Sequence, residues 1–297
     1  MRIVAGSFLG IAILLAATAA NAADIPIKAR PMPVVVPGWT GLYVGVQGGG
    51  TFADRTARYI GNDPASTLLI DGTIPGATGE QPVLPHGYRT SGATGGVEAG
   101  YNWQVSPNWL LGVEADFSAG GPRGRGNGTT ALLSVPPDTL PQTVTSDQRI
   151  DWWGTVRGRF GALATPDLLL FGSAGLAYGR VSSSDRYGFT APIAAAATIA
   201  VDFGGSSFSC TENTTCFTGS GASVKTGWTA GGGGEWRFAS HWTFKAEYLY
   251  VDLGRDQVRS NALAVAALLV PGAPASYTAD LGRTYFHVVR AGVNYQF

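Results

Sequence analysis

Apolar and polar side chains alternate with a period of two in eight segments of this chain, near residues 40–52, 91–104, 109–119, 149–163, 168–180, 223–238, 241–253 and 283–297. Period two places successive side chains on opposite faces of a β-strand. In the second segment Val97, Ala99, Tyr101 and Trp103 oppose Glu98, Asn102 and Gln104. In the third, Trp109, Leu111, Val113 and Phe117 oppose Glu114 and Asp116. The fourth sets Trp152, Val156 and Phe160 against Asp151, Arg157 and Arg159. Residues 168–171 are apolar on both parities, so the fifth segment is ambiguous.

The connections also alternate. Residues 105–108, 164–167 and 239–240 make short links, whereas 53–90, 120–148, 181–222 and 254–282 make long ones. Each segment is long enough for a tilted membrane strand of ~9–11 residues. Short turns at one end and long loops at the other predict an all-β fold, an eight-stranded antiparallel transmembrane β-barrel with short periplasmic turns and four long extracellular loops. Trp103, Trp109, Trp236, Trp242, Tyr295 and Phe297 flank the short turns, where an interfacial aromatic girdle is expected.

The first residues change the picture from a β-protein to an exported one. Arg2 precedes an apolar run over residues 3–17, and Ala20 and Ala22 form a small-x-small cleavage site. Residues 1–22 are expected to be a signal peptide, 23–38 a Pro-rich periplasmic lead-in, and 39–297 the barrel. Composition agrees: 43 of 297 residues are glycine, and 20 basic side chains balance 20 acidic ones. Glycine is thus about twice its usual ~7% share. No basic excess points to nucleic acid.

The inward parity carries the charge. Its acids are Glu98, Glu114, Asp116, Asp151, Glu235 and Glu247, and its bases are Arg157, Arg159, Arg237, Lys245 and Arg290. An interior of about eight strands is just wide enough for side chains to fill. Unpaired charges there are costly, so both signs should interlock as a polar plug. The alternative reading of the same residues is a narrow ion path, a small porin-like diffusion channel.

Cys210 and Cys216 are expected to pair in an oxidising compartment. Their spacing is not that of a redox C-x-x-C pair, and no metal site is expected around them. Each long loop contains an apolar stretch, at residues 67–70, 131–135, 192–201 and 262–270. These are read as strands extended above the bilayer that pack into an extracellular cap, with a ligand or partner site as the alternative. His86, near Tyr88, is a weak haem candidate, and His287 lacks the neighbours of a catalytic histidine. No catalytic residue and no cofactor is expected.

The sequence blocks are also familiar as a set. The lead-in ADIPIKARPMP, then GWTGLYVGVQGG at residues 38–49, GGVEAGYNWQ, LLGVEADF, WWGTVRGRFG, LLLFGSAGLAYG, GWTAGGGGEW, WTFKAEYLYVDLG and VVRAGVNYQF together resemble the small surface-antigen barrels of Gram-negative bacteria, called outer-membrane immunogenic or porin-like barrel proteins. The resemblance covers every expected strand and none of the long loops. It implies an abundant envelope component of the cell outer membrane, in contact with its lipid. Some members are adhesive, haem-binding or weakly pore-forming, so a surface ligand or host protein bound through the loops is implied as an alternative role. Val293, Tyr295 and Phe297 look like the family's assembly signal, which implies recognition by the barrel assembly machinery. The family has no catalytic motif to carry over.

Overall fold

A computed structural model describes residues 38–73, 83–135, 138–189, 198–211, 213–265 and 272–297, except the side chains of 129–141 and 199. The expected signal peptide and nearly all of the lead-in lie outside the described residues. The strands are β1 (Gly41–Gly61), β2 (His86–Gln104), β3 (Trp109–Gly120), β4 (Arg123–Val135), β5 (Asp138–Thr165), β6 (Leu168–Phe189), β7 (Thr198–Phe203), β8 (Ser206–Thr211), β9 (Thr215–Ala239), β10 (Trp242–Ala262), β11 (Ala273–Pro274) and β12 (Ser276–Gln296). One helix, α1 (Pro64–Asp71), follows β1.

Strands β1, β2, β3, β5, β6, β9, β10 and β12 pair in sequence, and β1 closes on β12, giving a ring of eight antiparallel strands. Tyr43 of β1 sits opposite Gly100 on one side and Gln296 on the other. All eight expected segments are strands. The structure lengthens them, because β1, β2, β5, β6, β9, β10 and β12 continue past the expected ends into the supposed loops. Strand β4 occupies much of the second long connection and pairs with β5. Among the described residues, the three later connections are therefore largely sheet, and the first holds α1 between strand extensions.

The alternation persists along these long strands, but its sign reverses. Near the short turns the outward residues are apolar, with Val46 62% and Val97 56% exposed, while Glu98, Glu114 and Arg157 point inward and are buried. Further up β1, Ala53, Ala57 and Tyr59 are buried, and Asp54 and Arg58 are exposed. The lower part is thus apolar outside and charged inside. The upper part is built like a water-soluble barrel.

Inward side chains stack in layers. Trp39, Leu110, Leu169 and Phe171 form a small apolar layer at the short-turn end. Charged residues come next. Above them lies an apolar layer that includes Trp153, Leu249, Val251, Phe286 and Val288. The uppermost layer joins Tyr59, Tyr88, Tyr187, Phe217 and Tyr277 to Leu69 and Ile70 of α1 and Phe208 of β8.

Local chemistry places α1. Asp63 caps it by accepting from the Ser66 backbone N–H at 2.9 Å, Pro64 opens it, and Gly72 ends it with φ 65°. Asp63 also accepts from the Ser276 N–H at 2.6 Å, tying the helix to β12. β7 and β8 form a hairpin through Gly204 and Gly205, both with positive φ (58° and 81°), which such tight turns require. Cys210 of β8 is disulfide-bonded to Cys216 of β9, with Cα atoms 5.1 Å apart, and both are buried.

Candidate functional site

Strand pairing brings the charged inward residues of six strands to one level. Arg157 of β5 is central. Its guanidinium donates to Glu247 of β10 at 2.9 Å, to Asp116 of β3 at 3.2 Å, and closely to Glu114. Arg290 of β12 donates to Glu247 at 2.7 Å and to Asp116 at 2.8 Å. Lys245 lies 3.1 Å from Glu114 and 3.2 Å from Glu247, and contacts Glu98 closely. Arg159 pairs with Glu235 at 2.7 Å. Neutral groups add to the network: Thr155 donates to Asp116 at 2.6 Å, Thr243 to Glu235 at 2.6 Å, and Asn294 to Glu235 at 3.1 Å.

Nine of the eleven inward charges expected from sequence meet here, all buried: Glu98, Glu114, Asp116, Glu235, Glu247, Arg157, Arg159, Lys245 and Arg290. Arg237 lies towards the short-turn end, with its guanidinium 4.2 Å from the centre of the Trp39 ring and donating to the Gly38 carbonyl at 3.3 Å. Asp151 is elsewhere. The register of β5 against β6 slips between Ile150 and Trp152, and this bulge turns Asp151 to the outside. There it pairs with exposed Arg149 at 3.0 Å and Arg180 at 3.6 Å. Alternation alone assigns it inward, because parity counting fails across a bulge.

Tyr43 is a member that charge counting misses. Its hydroxyl donates to Glu114 at 2.6 Å and accepts from Arg159 at 2.6 Å, so it bridges an anion and a cation. Its inward parity with Gln47 in β1 was the available signal. Small residues make the space: a Cβ on Gly233 would lie 2.8 Å from the Glu247 Cα, and one on Gly175 would lie 2.7 Å from the Arg157 Cα. Carboxylate oxygens of Glu98, Glu114 and Glu247 all lie within 4.8 Å of one another. The Lys245 ammonium touches all three, so a cation of the chain's own already fills the place a metal ion would take.

A second polar cluster lies higher, among the tyrosines. Asp185 accepts from Ser146 at 2.6 Å, from Ser260 at 3.2 Å and closely from Tyr277. Burial holds its carboxyl above the ordinary range, with the three hydroxyls acting the other way. Tyr59 joins Ser146 at 2.9 Å to His86 Nδ1 at 3.3 Å. Burial lowers the His86 pKa. On the exterior, His287 Nδ1 is 2.6 Å from the Tyr248 hydroxyl and its ring stacks on Phe52. Val293 and Tyr295 are half-buried and Phe297 is exposed, with Tyr295 packed edge-on between Trp242 and Phe297 at 5.1 Å from each.

The family model described as outer membrane protein beta-barrel domain matches residues 9–297. The 31 kDa outer-membrane immunogenic protein of Brucella melitensis biotype 1 is 30% identical over 285 residues, 95% of either chain. Its counterpart in Brucella suis biovar 1 matches equally. Among solved structures, the attachment invasion locus protein Ail of Yersinia pestis aligns at 12% identity with a TM-score of 0.31, over 86% of this chain and 99% of that one. The outer membrane protease OmpT of Escherichia coli aligns at 11% identity with a TM-score of 0.38, over 86% and 97%.

Proposed function

As this chain belongs to the outer membrane protein beta-barrel domain family and resides in the cell outer membrane, we propose that it serves as a structural and surface-interaction barrel whose lumen is plugged by its own charges. The observation that carries this reading is the interlocked set around Arg157, in which five carboxylates (Glu98, Glu114, Asp116, Glu235, Glu247) face four cations (Arg157, Arg159, Lys245, Arg290). A hydrated ion crossing this level must break several such pairs at once, and each broken pair leaves an uncompensated buried charge. The apolar layer of Trp153, Phe286 and Val288 directly above offers a permeating ion no ligand.

The test is single-channel recording of refolded protein in a planar bilayer. Silence is expected. Reproducible ion-selective steps would replace this reading by the small-channel one, in which substitution of Arg157 or Arg290 alters selectivity. The role assigned is non-enzymatic. The Brucella relatives carry the word immunogenic in their name, and by likeness the part of this chain exposed to antibodies or host partners is the extended sheet with α1 and the β7–β8 hairpin. Val293, Tyr295 and Phe297 are assigned the role of assembly signal for the barrel insertion machinery.

A further inference from the structure

The outer face of β4, β5, β6 and β9 carries a cleft of about 1090 Å³ in which Arg123, Arg125, Arg149 and Arg180 converge, with Asp147 and Asp151 as the acids among them. Four cations face two carboxylates. Arg125 pairs with Asp147 at 2.8 Å, and Asp151 holds both Arg149 and Arg180, while Arg123 has no ion pair among the described residues. The side chains of Arg125, Arg149 and Arg180 are 63%, 59% and 52% exposed. Exposed pairs of this kind add little to stability, so folding does not explain the surplus of positive charge.

The position of the cleft suggests its occupant. Trp152 forms its lower wall and packs against Phe117 and Tyr178, with ring centres 5.7 and 6.3 Å away. Below them on the same face Val156 and Leu176 are exposed. Tryptophan and tyrosine mark the level where a bilayer meets water. The arginines therefore stand just above the apolar band, at headgroup height. A second cleft of about 410 Å³ continues upward from Arg125 and adds Arg186 among the neutral hydrogen-bonding groups of Asn127, Thr145 and Thr214.

We propose that this face binds a glycolipid of the outer leaflet with a phosphorylated sugar headgroup. The phosphates are held by Arg123, Arg125, Arg149 and Arg180, the sugar hydroxyls reach the upper cleft, and the acyl chains lie along Trp152, Val156 and Leu176. The planar arginine fork matches phosphate oxygens two at a time. The outward bulge at Asp151 acquires a purpose, since it sets the two lower guanidinium groups side by side. The inference uses the membrane placement but not the state of the lumen, so an open pore would leave it intact.

The test is native mass spectrometry of the refolded chain with three probes: a diphosphorylated lipid A, the same lipid after phosphatase treatment, and inorganic phosphate. The phosphorylated lipid is expected to remain bound and the dephosphorylated lipid to be lost. Replacing all four arginines by glutamine should weaken retention at least about tenfold, since each basic residue near an anionic surface adds to the attraction. Arg149→Gln with Arg180→Gln alone should weaken it less, and serves if the fourfold variant fails to fold. Arg255→Gln, in a strand outside this cleft, should change nothing. Equal retention of both lipids, or unaltered binding by the variants that fold, overturns the proposal. Displacement of the lipid by millimolar phosphate also overturns it, leaving a free-anion site instead.

Discussion

At the scale of single residues, the interior charges are stabilising only as a set. Arg157 touches Glu114, Asp116 and Glu247, so Arg157→Met takes one buried cation from three carboxylates and leaves them in excess over the remaining Arg159, Lys245 and Arg290. Breaking a buried ion pair from one side costs about 3–5 kcal/mol, and the urea midpoint of the folded barrel in detergent should fall accordingly. An unchanged midpoint would mean that water reaches these groups. Asp185 makes a prediction of a different kind. Its folded pKa is raised by burial, so its contribution to stability is fully present below the ordinary carboxylate pKa. That contribution is lost as pH rises through the elevated value. His86, lowered by burial, works in the opposite sense: its contribution is present at higher pH and lost on acidification. The two are separated by Asp185→Asn. Hydrogen exchange of β6 and β12 near Tyr187 and Tyr277 should quicken with rising pH in the wild type more than in this variant. The same pH response in both would assign the effect to another group.

At the scale of elements, the long strands and the pieces above them differ in how they are held. The ring strands hydrogen-bond on both sides, whereas the β7–β8 hairpin pairs with β11 over two residues and is fastened to β9 by Cys210–Cys216. A disulfide closing so short a loop contributes about 2 kcal/mol by restricting the open state. Changing both cysteines to serine should therefore raise hydrogen exchange in 198–211 while the barrel's unfolding midpoint stays put. A fall in that midpoint would show that hairpin and ring unfold as one unit. The eight strand cores were legible because apolar-out alternation against lipid is strict. Extension above the bilayer was expected, but where the upper halves run was not legible, because the alternation there has the opposite polarity: Asp54 and Arg58 point out while Ala57 and Tyr59 point in. Polar outward residues read as loop to a search tuned for lipid-facing strands.

At the scale of the whole molecule, closure of β1 on β12 leaves the ring without an open edge. Such a ring resists detergent until heated, so the refolded chain should migrate faster on a gel unheated than boiled. Phe297 donates its N–H to the Leu42 carbonyl at 2.9 Å, and its side chain is 67% exposed. Removing Phe297 should leave the heat-modifiable form obtainable by refolding in detergent yet reduce its yield in the outer membrane of cells. Equal yield in cells would remove the residue from the proposed assembly signal. Loss of the refolded form would make its role structural.

By itself the sequence determined the strand count, the short-turn end and most of the inward charges, because side-chain parity in a strand is local and lipid enforces it residue by residue. The tertiary structure decided which charges meet. Arg157 and Glu247 are 90 positions apart and touch only because β5 and β10 face each other across the ring. It also decided that Asp151 leaves the interior, since one bulge reverses parity without changing composition, and that Tyr43 joins the charged set through its hydroxyl. An apolar cap was expected from the loop stretches, but which residues meet in it was decided in three dimensions. Leu69, Phe208 and Tyr277 belong to segments separated by more than sixty residues each, and no local period foretells that they share one apolar core.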